Sequence, residues 1–233
     1  MLMRQDICTI PISEIFEVND GCPICRMREV IEKRIVDYIM GAAMMEPDVR
    51  IETNRLGFCE RHFDQMLQSR GRLQLALILE SHIDEINKHI FDKKLFNSPA
   101  KKGESAKKMT ETCFVCDKIE WGFSHMIETI FRCYETDKDF RRMFDSQPMF
   151  CLKHYEMLMN SPYRKILRKN GSEFANNLTR ITADYSKSLH DDVKKYCSMY
   201  DYRANEGPKD WGNSRDSVER TIAFLVGRNN DDK

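Results

Sequence analysis

Residues 57–62, with the sequence GFCERH, are matched later in the chain by residues 149–154, with the sequence MFCLKH. Another motif precedes each of these segments: CPIC at residues 22–25 precedes the first, and CFVC at residues 113–116 precedes the second. The offset is 113 − 22 = 91 residues for the first motif and 151 − 59 = 92 residues for the second. Because two motifs keep nearly the same offset, we interpret the chain as a duplication of one unit.

Each copy carries three cysteines and one histidine at spacings that suit a metal ion. Two cysteines separated by two residues can turn both sulfurs toward one point, and a cysteine and a histidine three apart at a helix start share a face. The pattern therefore predicts one tetrahedral site per copy. The ligands would be Cys22, Cys25, Cys59 and His62 in the first copy, and Cys113, Cys116, Cys151 and His154 in the second.

The interval between the two ligand pairs of a copy is long for a zinc site, but the chain can span it. An outgoing helix of about 19 residues advances roughly 28 Å. A return segment of about 13 residues covers roughly 43 Å when it is extended. We therefore expect the metal to fasten the base of a helical hairpin within each copy, and its loss to unfold that copy.

Zinc, with two ions per chain, is the metal that this ligand set favours. The expected role is structural, because four protein ligands leave no open position for water. Iron–sulfur clusters are the alternative, since three thiolates and an imidazole can also hold iron. Residues 22–25 also resemble a thiol–disulfide oxidoreductase motif, but the sequence lacks the βαβ pattern in which that motif belongs.

Apolar residues recur every three or four positions, which predicts an all-α fold. In the first copy the apolar faces contain Met27, Ile31, Ile35, Tyr38 and Ala42, followed by Leu75, Leu79, Ile83, Ile86 and Ile90. In the second copy they contain Ile119, Phe123, Met126, Ile130 and Tyr134, followed by Phe174, Leu178, Ile181, Tyr185, Leu189, Val193, Tyr196 and Tyr200. A last short helix, from Asp216 to Val226, should end at Gly227 and bury Val218, Ile222 and Leu225.

The duplication also sets the expected domain boundaries. The first metal-binding repeat would occupy residues 1–96 and the second residues 109–203, with a C-terminal segment at 204–233 that contains the short helix. Residues 97–108, with the sequence NSPAKKGESAKK, are polar, rich in lysine and interrupted by proline and glycine. This composition is typical of a linker between the copies.

Composition and charge narrow the functional classes. The 37 basic and 37 acidic residues cancel, so no surplus charge draws the whole chain onto nucleic acid or an anionic membrane. The sequence shows neither a signal peptide nor a membrane span. Nine cysteines, an odd number, argue for thiolate ligands in a cytoplasmic protein and against a disulfide framework.

The other candidate residues give weaker signals. Cys8, Cys133 and Cys197 have no counterpart in the repeat and no signature of a nucleophile. His82 and His89 share a helix face. We interpret them as structural histidines and not as ligands of an additional metal site. The sequence contains no glycine-rich phosphate loop, nucleophile elbow or H-E-x-x-H motif, so nothing in it indicates an enzyme.

Three functions are compatible with these observations. We favour a non-enzymatic, metal-stabilised helical module that binds a partner protein or a small ligand. The alternative is a redox or metal-responsive protein whose iron–sulfur clusters or thiolates are the functional centre. A nucleic-acid-binding zinc protein is the least favoured, because of the neutral total charge. The oligomeric state is not determined by the sequence.

At its four motifs and its closing segment, the chain resembles an uncharacterised bacterial family of duplicated cysteine and histidine proteins, found mainly in anaerobes and Firmicutes. The segments are CPIC, GFCERH, CFVC, MFCLKH and RDSVERTIAFLVG at residues 215–227. The resemblance implies metal binding and a bacterial cytoplasm, and it implies no activity. One departure is Phe114, which replaces the proline found at Pro23 and predicts a looser second turn.

Overall fold

The computed structural model describes residues 12–91, 98–200 and 210–228. Over these ranges the chain forms eleven α-helices and no β-strand, which confirms the all-α prediction. The helices are α1 (Ile12–Glu17), α2 (Pro23–Met40), α3 (Pro47–Leu56), α4 (Glu60–Gln68), α5 (Arg72–Ile86), α6 (Pro99–Glu111), α7 (Phe114–Thr136), α8 (Lys138–Asp145), α9 (Leu152–Met159), α10 (Gly171–Ser198) and α11 (Ser217–Val226). Short 3-10 segments occur at Ala42–Met45, Pro162–Ile166 and Gly212–Ser214, and a π-helical segment, Asn87–Phe91, follows α5.

The chain divides into two compact units that do not coincide with the sequence repeats. Residues 30–124 form one unit, and residues 1–29 together with residues 125–233 form the other. We call them the inner and the outer unit, after their order along the chain. The unit boundaries fall within α2 and α7. The inner unit is therefore an insertion in the sequence of the outer unit. The sequence repeat had predicted boundaries near residues 96, 109 and 203 instead.

Helix α6 occupies most of the segment in which the sequence indicated a linker. Ser98 caps this helix, because its side-chain oxygen accepts a hydrogen bond from the backbone N–H of Lys101. Pro99 stands at the first helical position, where its fixed φ suits the helix and its missing N–H costs nothing. None of the residues of α6 is buried. The polar composition of residues 99–108 is therefore that of a solvent-facing helix.

An aromatic core holds the outer unit together. Tyr134 of α7 packs edge-on against Phe174 of α10, with ring centroids 5.0 Å apart, and against Phe144 of α8 at 5.1 Å. Phe144 also contacts Phe150 at 4.8 Å. Such pairs contribute about 0.5–1.5 kcal/mol each beyond the burial of their area. Because Phe150 directly precedes Cys151, this core also fixes the loop that carries a predicted ligand.

The periodicity predicted the buried face of α7 correctly and that of α2 in part. In α2, Met27, Ile31 and Ile35 are buried and Tyr38 is half-buried, whereas Ala42 lies in the 3-10 segment after the helix and is exposed. In α7 the whole predicted face is buried: Ile119, Phe123, Met126, Ile130 and Tyr134. Helix α7 is long enough for the three-and-four spacing to define one side, whereas α2 ends before the last predicted position.

In the inner unit, α3 and α5 are joined by polar contacts as well as apolar ones. The Arg50 guanidinium donates a hydrogen bond to the carbonyl of Leu77, at 2.8 Å. The His82 ring is buried, and its Nδ1 lies 2.9 Å from the carbonyl oxygen of Asn54. His82 of α5 is therefore a structural histidine that contacts the last turn of α3, and a structural role is the one that the sequence favoured.

Helix α11 ends at Gly227 as predicted, but it buries a different face. Ala223 and Phe224 are buried, whereas Val218, Ile222 and Leu225 are 40%, 42% and 53% exposed. The prediction for these three residues was wrong because this ten-residue helix carries apolar side chains on both sides, so that periodicity permits either orientation. The contact of Phe224 with Tyr185 of α10, with ring centroids 5.8 Å apart, belongs to the side that is buried.

Candidate metal centres

All eight predicted ligands fall into two tight groups of three cysteines and one histidine. Within each group the ligand atoms lie within 4.8 Å of one another. The outer site belongs to the outer unit and consists of Cys22, Cys25, Cys151 and His154. The inner site belongs to the inner unit and consists of Cys59, His62, Cys113 and Cys116.

The number and type of ligands per site are as predicted, but their pairing is not. We expected each C-x-x-C to meet the C-x-x-H of its own copy, and in the structure it meets that of the other copy. The reason lies in the return segment, which we took to be extended over roughly 43 Å. Residues 47–56 form helix α3 instead, and ten residues of helix advance only about 15 Å.

Two helix starts supply the ligands of the outer site. Cys22 directly precedes α2, and Cys25 lies in the first turn of that helix. Cys151 is the N-cap residue of α9, with an extended backbone, and His154 follows within the first turn. Each motif therefore presents both of its ligands on one side of a helix start.

The four ligand atoms of the outer site surround one point. The Nδ1 atom of His154 lies 3.5 Å from Sγ of Cys22, 3.3 Å from Sγ of Cys25 and 3.1 Å from Sγ of Cys151. The sulfurs of Cys25 and Cys151 are 3.8 Å apart. All four residues are buried.

The inner site repeats this arrangement at the starts of α4 and α7. The Nδ1 atom of His62 lies 3.1 Å from Sγ of Cys59, 3.2 Å from Sγ of Cys113 and 3.6 Å from Sγ of Cys116. The sulfurs of Cys59 and Cys116 are 3.9 Å apart. His62 and Cys113 are buried, whereas Cys59 and Cys116 are only half-buried.

Two hydrogen bonds join the loops that carry the ligands of the inner site. The backbone N–H of Phe114 donates to the carbonyl of Gly57, at 2.9 Å. The hydroxyl of Thr112 donates to the carbonyl of Leu56, at 2.7 Å. A proline at position 114 could not make the first of these bonds, because it has no N–H. Phe114 therefore gives this turn a backbone hydrogen bond that a proline would remove.

The sulfur–sulfur distances of 3.8 and 3.9 Å match those around a single tetrahedral ion, and the sulfur–nitrogen distances of 3.1 to 3.6 Å are close to them. With Zn–S bonds of about 2.3 Å and Zn–N bonds of about 2.0 Å, two sulfurs lie about 3.8 Å apart, and a sulfur and a nitrogen about 3.5 Å apart. The observed sulfur pairs, at 3.8 and 3.9 Å, are much further apart than the roughly 2.0 Å of a disulfide. Each group can therefore hold one metal ion.

A buried carboxylate stands behind the histidine of the inner site. Oε1 of Glu32 lies 2.9 Å from Nε2 of His62, and the Arg61 guanidinium donates to Oε2 of Glu32 at 2.7 Å. Burial raises the pKa of Glu32, but the His62 hydrogen bond and the Arg61 charge outweigh it and hold the pKa below its usual value. An ionised Glu32 that accepts the Nε2 proton leaves Nδ1 free to bind a metal and fixes the orientation of the ring.

No sequence motif indicated Glu32. It lies on α2, thirty residues before His62 (62 − 32 = 30), and no motif connects the two positions. Only the packing of α2 against the start of α4 brings the carboxylate to the ring.

We expect Glu32→Ala to weaken metal binding at the inner site by about 10- to 100-fold, because the histidine loses the partner that orients it. Glu32→Gln keeps an acceptor oxygen, so its metal affinity should lie between that of Glu32→Ala and that of the parent protein. Competition with a chromophoric chelator measures both affinities. Glu52→Gln is the matched control, since Glu52 pairs with Lys118 in the same unit on a half-exposed surface. Equal affinities in all four proteins would contradict the role of Glu32.

Without a cation, the thiols of each site cannot all ionise. In the outer site, burial raises the pKa of Cys22 to about 12, and the hydrogen bond with Cys151 raises the pKa of Cys25. Hydrogen bonds from both of these thiols lower the pKa of Cys151. In the inner site, burial raises the pKa of Cys113, but the hydrogen bond from His62 lowers it to about 6. A divalent cation removes the repulsion between thiolates, so metal binding releases protons.

Gly227, at the end of α11, lies against the outer site. Its φ of 75° and ψ of 60° place it in the left-handed region. A Cβ at this position would lie 3.1 Å from Cβ of Lys153 and 3.2 Å from Sγ of Cys151. The glycine therefore allows both the helix end and the close approach to a ligand.

We expect Gly227→Ala to lower the free energy of unfolding by about 1–3 kcal/mol, because the left-handed backbone alone costs an alanine roughly 1–2 kcal/mol and the neighbouring atoms must move. Chemical denaturation of the metal-loaded protein measures the change. Gly103→Ala is the control, since a Cβ there meets nothing within 4 Å inside helix α6. It should be neutral or stabilise by up to about 1 kcal/mol, and an equal loss in both variants would contradict this explanation.

The structure does not bring the remaining candidates into either site. His89 pairs with Glu85, with Nε2 and Oε1 2.8 Å apart. Cys133 is half-buried in α7, and Cys197 is exposed in α10. Cys8 lies outside the described residues.

The fold and the two groups define the class of this chain, which is an all-α protein with two Cys3His groups that can hold metal ions. A family model matches residues 3–232, and the chain belongs to the family of unknown function DUF6062. The resemblance to an uncharacterised family is thereby confirmed. No curated protein and no solved structure matches the sequence. Within the described ranges, no helix combines the length and the apolar character that a membrane span requires.

Proposed function

We propose that the protein is a non-enzymatic helical scaffold, stabilised by one zinc ion at each of its two sites. The observation that carries this proposal is the ligand set itself: three sulfurs and one imidazole nitrogen within 4.8 Å of one another, formed twice. Cysteine and histidine are the ligands of structural zinc, and the distances agree with tetrahedral coordination.

The completeness of each set supports a structural role. Four protein ligands satisfy a tetrahedral ion, whereas a catalytic zinc keeps one position for water or substrate. All four ligand residues of the outer site are also buried, so a substrate has no path to the ion. A scaffold of this kind acts through its surfaces, and the partner is a protein or a small ligand.

The spacing of the ligand atoms favours a single ion over an iron–sulfur cluster. A cluster places several irons and bridging sulfides between its four cysteine or histidine ligands. Ligand atoms within 4.8 Å of one another leave room for one ion at their centre. A single iron in the same position is the competing occupant, because iron also accepts thiolate and imidazole ligands.

Elemental analysis and an absorption spectrum, recorded on protein purified anaerobically without added metal, test this proposal. We expect about two zinc ions per chain and no visible absorbance. A variant that lacks two cysteines outside the sites, Cys133→Ser with Cys197→Ser, is the control and should hold the same amount of zinc. Iron with sulfide and a broad absorption band near about 400 nm would contradict the zinc scaffold and favour a redox protein. A chain without bound metal would overturn the proposal.

A further inference from the structure

The two sites differ in how exposed their cysteine residues are. In the outer site Cys22 and Cys151 are fully buried, and Cys25 is 3% exposed. In the inner site Cys113 is buried, but Cys59 and Cys116 are half-buried. Oxidation of a thiolate depends on its nucleophilic character and its exposure. A dissolved oxidant therefore reaches the inner site more readily than the outer one.

The two half-buried cysteines of the inner site are also neighbours. Sγ of Cys59 and Sγ of Cys116 are 3.9 Å apart. A disulfide requires a separation of about 2.0 Å, so a movement of about 2 Å, shared between two side chains at the surface, joins them. One residue lies at the start of α4 and the other in the first turn of α7, so neither is held in the middle of a helix.

We propose that Cys59 and Cys116 form a peroxide-reactive pair, whose oxidation to a disulfide releases the metal of the inner site while the outer site keeps its own. This inference rests on the proposed function, because it assigns a regulation to one of the two zinc sites. The substrate class is a small hydroperoxide, with hydrogen peroxide as the simplest member.

The chemistry balances with peroxide as the oxidant. One of the two thiolates attacks the O–O bond, which gives a sulfenic acid and hydroxide. The second thiolate attacks the sulfenic sulfur, so that the S–S bond forms, the S–O bond breaks and a second hydroxide leaves. Two protons from solvent convert the hydroxides to water. The sulfurs lose two electrons, the peroxide gains two, and Cys113 and His62 remain as the last two ligands of the ion.

Two ligands do not retain zinc against a competing chelator, so oxidation converts the inner site from closed to open. The inner unit then loses the stabilisation that the metal supplied. Reduction of the disulfide restores the ligand set, which makes the change reversible. The protein thereby carries one permanent site and one that responds to oxidant.

The experiment is a peroxide titration of the zinc-loaded Cys8→Ser/Cys197→Ser protein, a background that removes the exposed Cys197 and the N-terminal Cys8. Zinc content is measured before the titration, and released zinc is followed with a chromophoric chelator. Peptide mapping by mass spectrometry identifies the disulfides. We expect one zinc ion to leave together with formation of the Cys59–Cys116 disulfide, and the second to need roughly tenfold more peroxide, because its thiolates are buried.

A second variant separates the thiol chemistry from metal binding. Cys116→His keeps a zinc ligand but removes one sulfur of the pair, so its first zinc should leave only at the higher peroxide concentration. Cys25→His is the matched change in the outer site and should leave the early release unaltered.

Simultaneous loss of both zinc ions, or early loss with a Cys22–Cys25 disulfide, would overturn the inference and leave the proposed function intact. A chain without zinc at the start would instead contradict the proposed function. The disulfide map would still show whether Cys59 and Cys116 are the reactive pair.

Discussion

Replacing Cys22 and Cys151 together with serine is expected to remove one metal ion per chain, whereas replacing Cys22 and Cys59 together removes both. The reason is that Cys22 and Cys151 are ligands of the same site, and Cys59 belongs to the other. Once one thiolate of a site is gone, loss of a second from that site releases no further ion. Elemental analysis of freshly purified protein gives the count.

Stability should follow the same pattern. The destabilisation caused by the two substitutions in one site is expected to be far less than additive, since the first already forfeits the metal, while substitutions in different sites should add more nearly. The Cys133→Ser/Cys197→Ser variant controls for the loss of two cysteines as such. If the Cys22 and Cys59 pair instead lost one ion, and the Cys22 and Cys151 pair lost both, each repeat would bind its own metal and the pairing seen in the structure would be refuted.

Removal of both metals is expected to abolish most of the cooperative structure. Apparent zinc affinities in small structural sites correspond to roughly 10–16 kcal/mol at neutral pH, and the whole stability of a domain is only about 5–15 kcal/mol. A chelator that strips the ions should therefore reduce the helical circular dichroism strongly and eliminate the thermal transition. Addition of zinc to the reduced chain should restore both.

The chelator presaturated with zinc is the control for this experiment, because it leaves the sites loaded. Protein that contains no metal and yet keeps its spectrum and its transition temperature would show that the aromatic and aliphatic cores suffice alone. The sites would then have a role other than stabilisation.

Local features were predictable from the sequence and long-range pairing was not. The buried face of α7, from Ile119 to Tyr134, follows from the spacing of apolar residues along a single helix. The ligand types follow from spacings of two and three residues within each motif. Which ligands share a site depends on the path of the chain between the motifs. We assumed an extended segment between residues 47 and 56, and the structure has helix α3 there.

The remaining differences have the same origin. A short helix such as α11 presents apolar residues on two sides. Only a tertiary contact, that of Phe224 with Tyr185, shows which of the two sides is buried. Segment 97–108 has the composition of a linker, yet Ser98 and Pro99 provide a good helix N-terminus. Glu32 could not be found, because a supporting carboxylate has no fixed spacing from the histidine that it orients.

The insertion of the inner unit between the two parts of the outer one determines the order in which the sites become complete during synthesis. The inner site has all its ligands once residue 116 has been made, whereas Cys22 and Cys25 wait for His154. A nascent chain that has just reached residue 62 already carries Cys22, Cys25, Cys59 and His62, the right kinds of ligand in the wrong combination. While the chain between them is unfolded, it is long enough to bring these four side chains together. A metal ion bound at that stage would have to exchange its ligands, from the pairs that emerge first to the pairs that fold together.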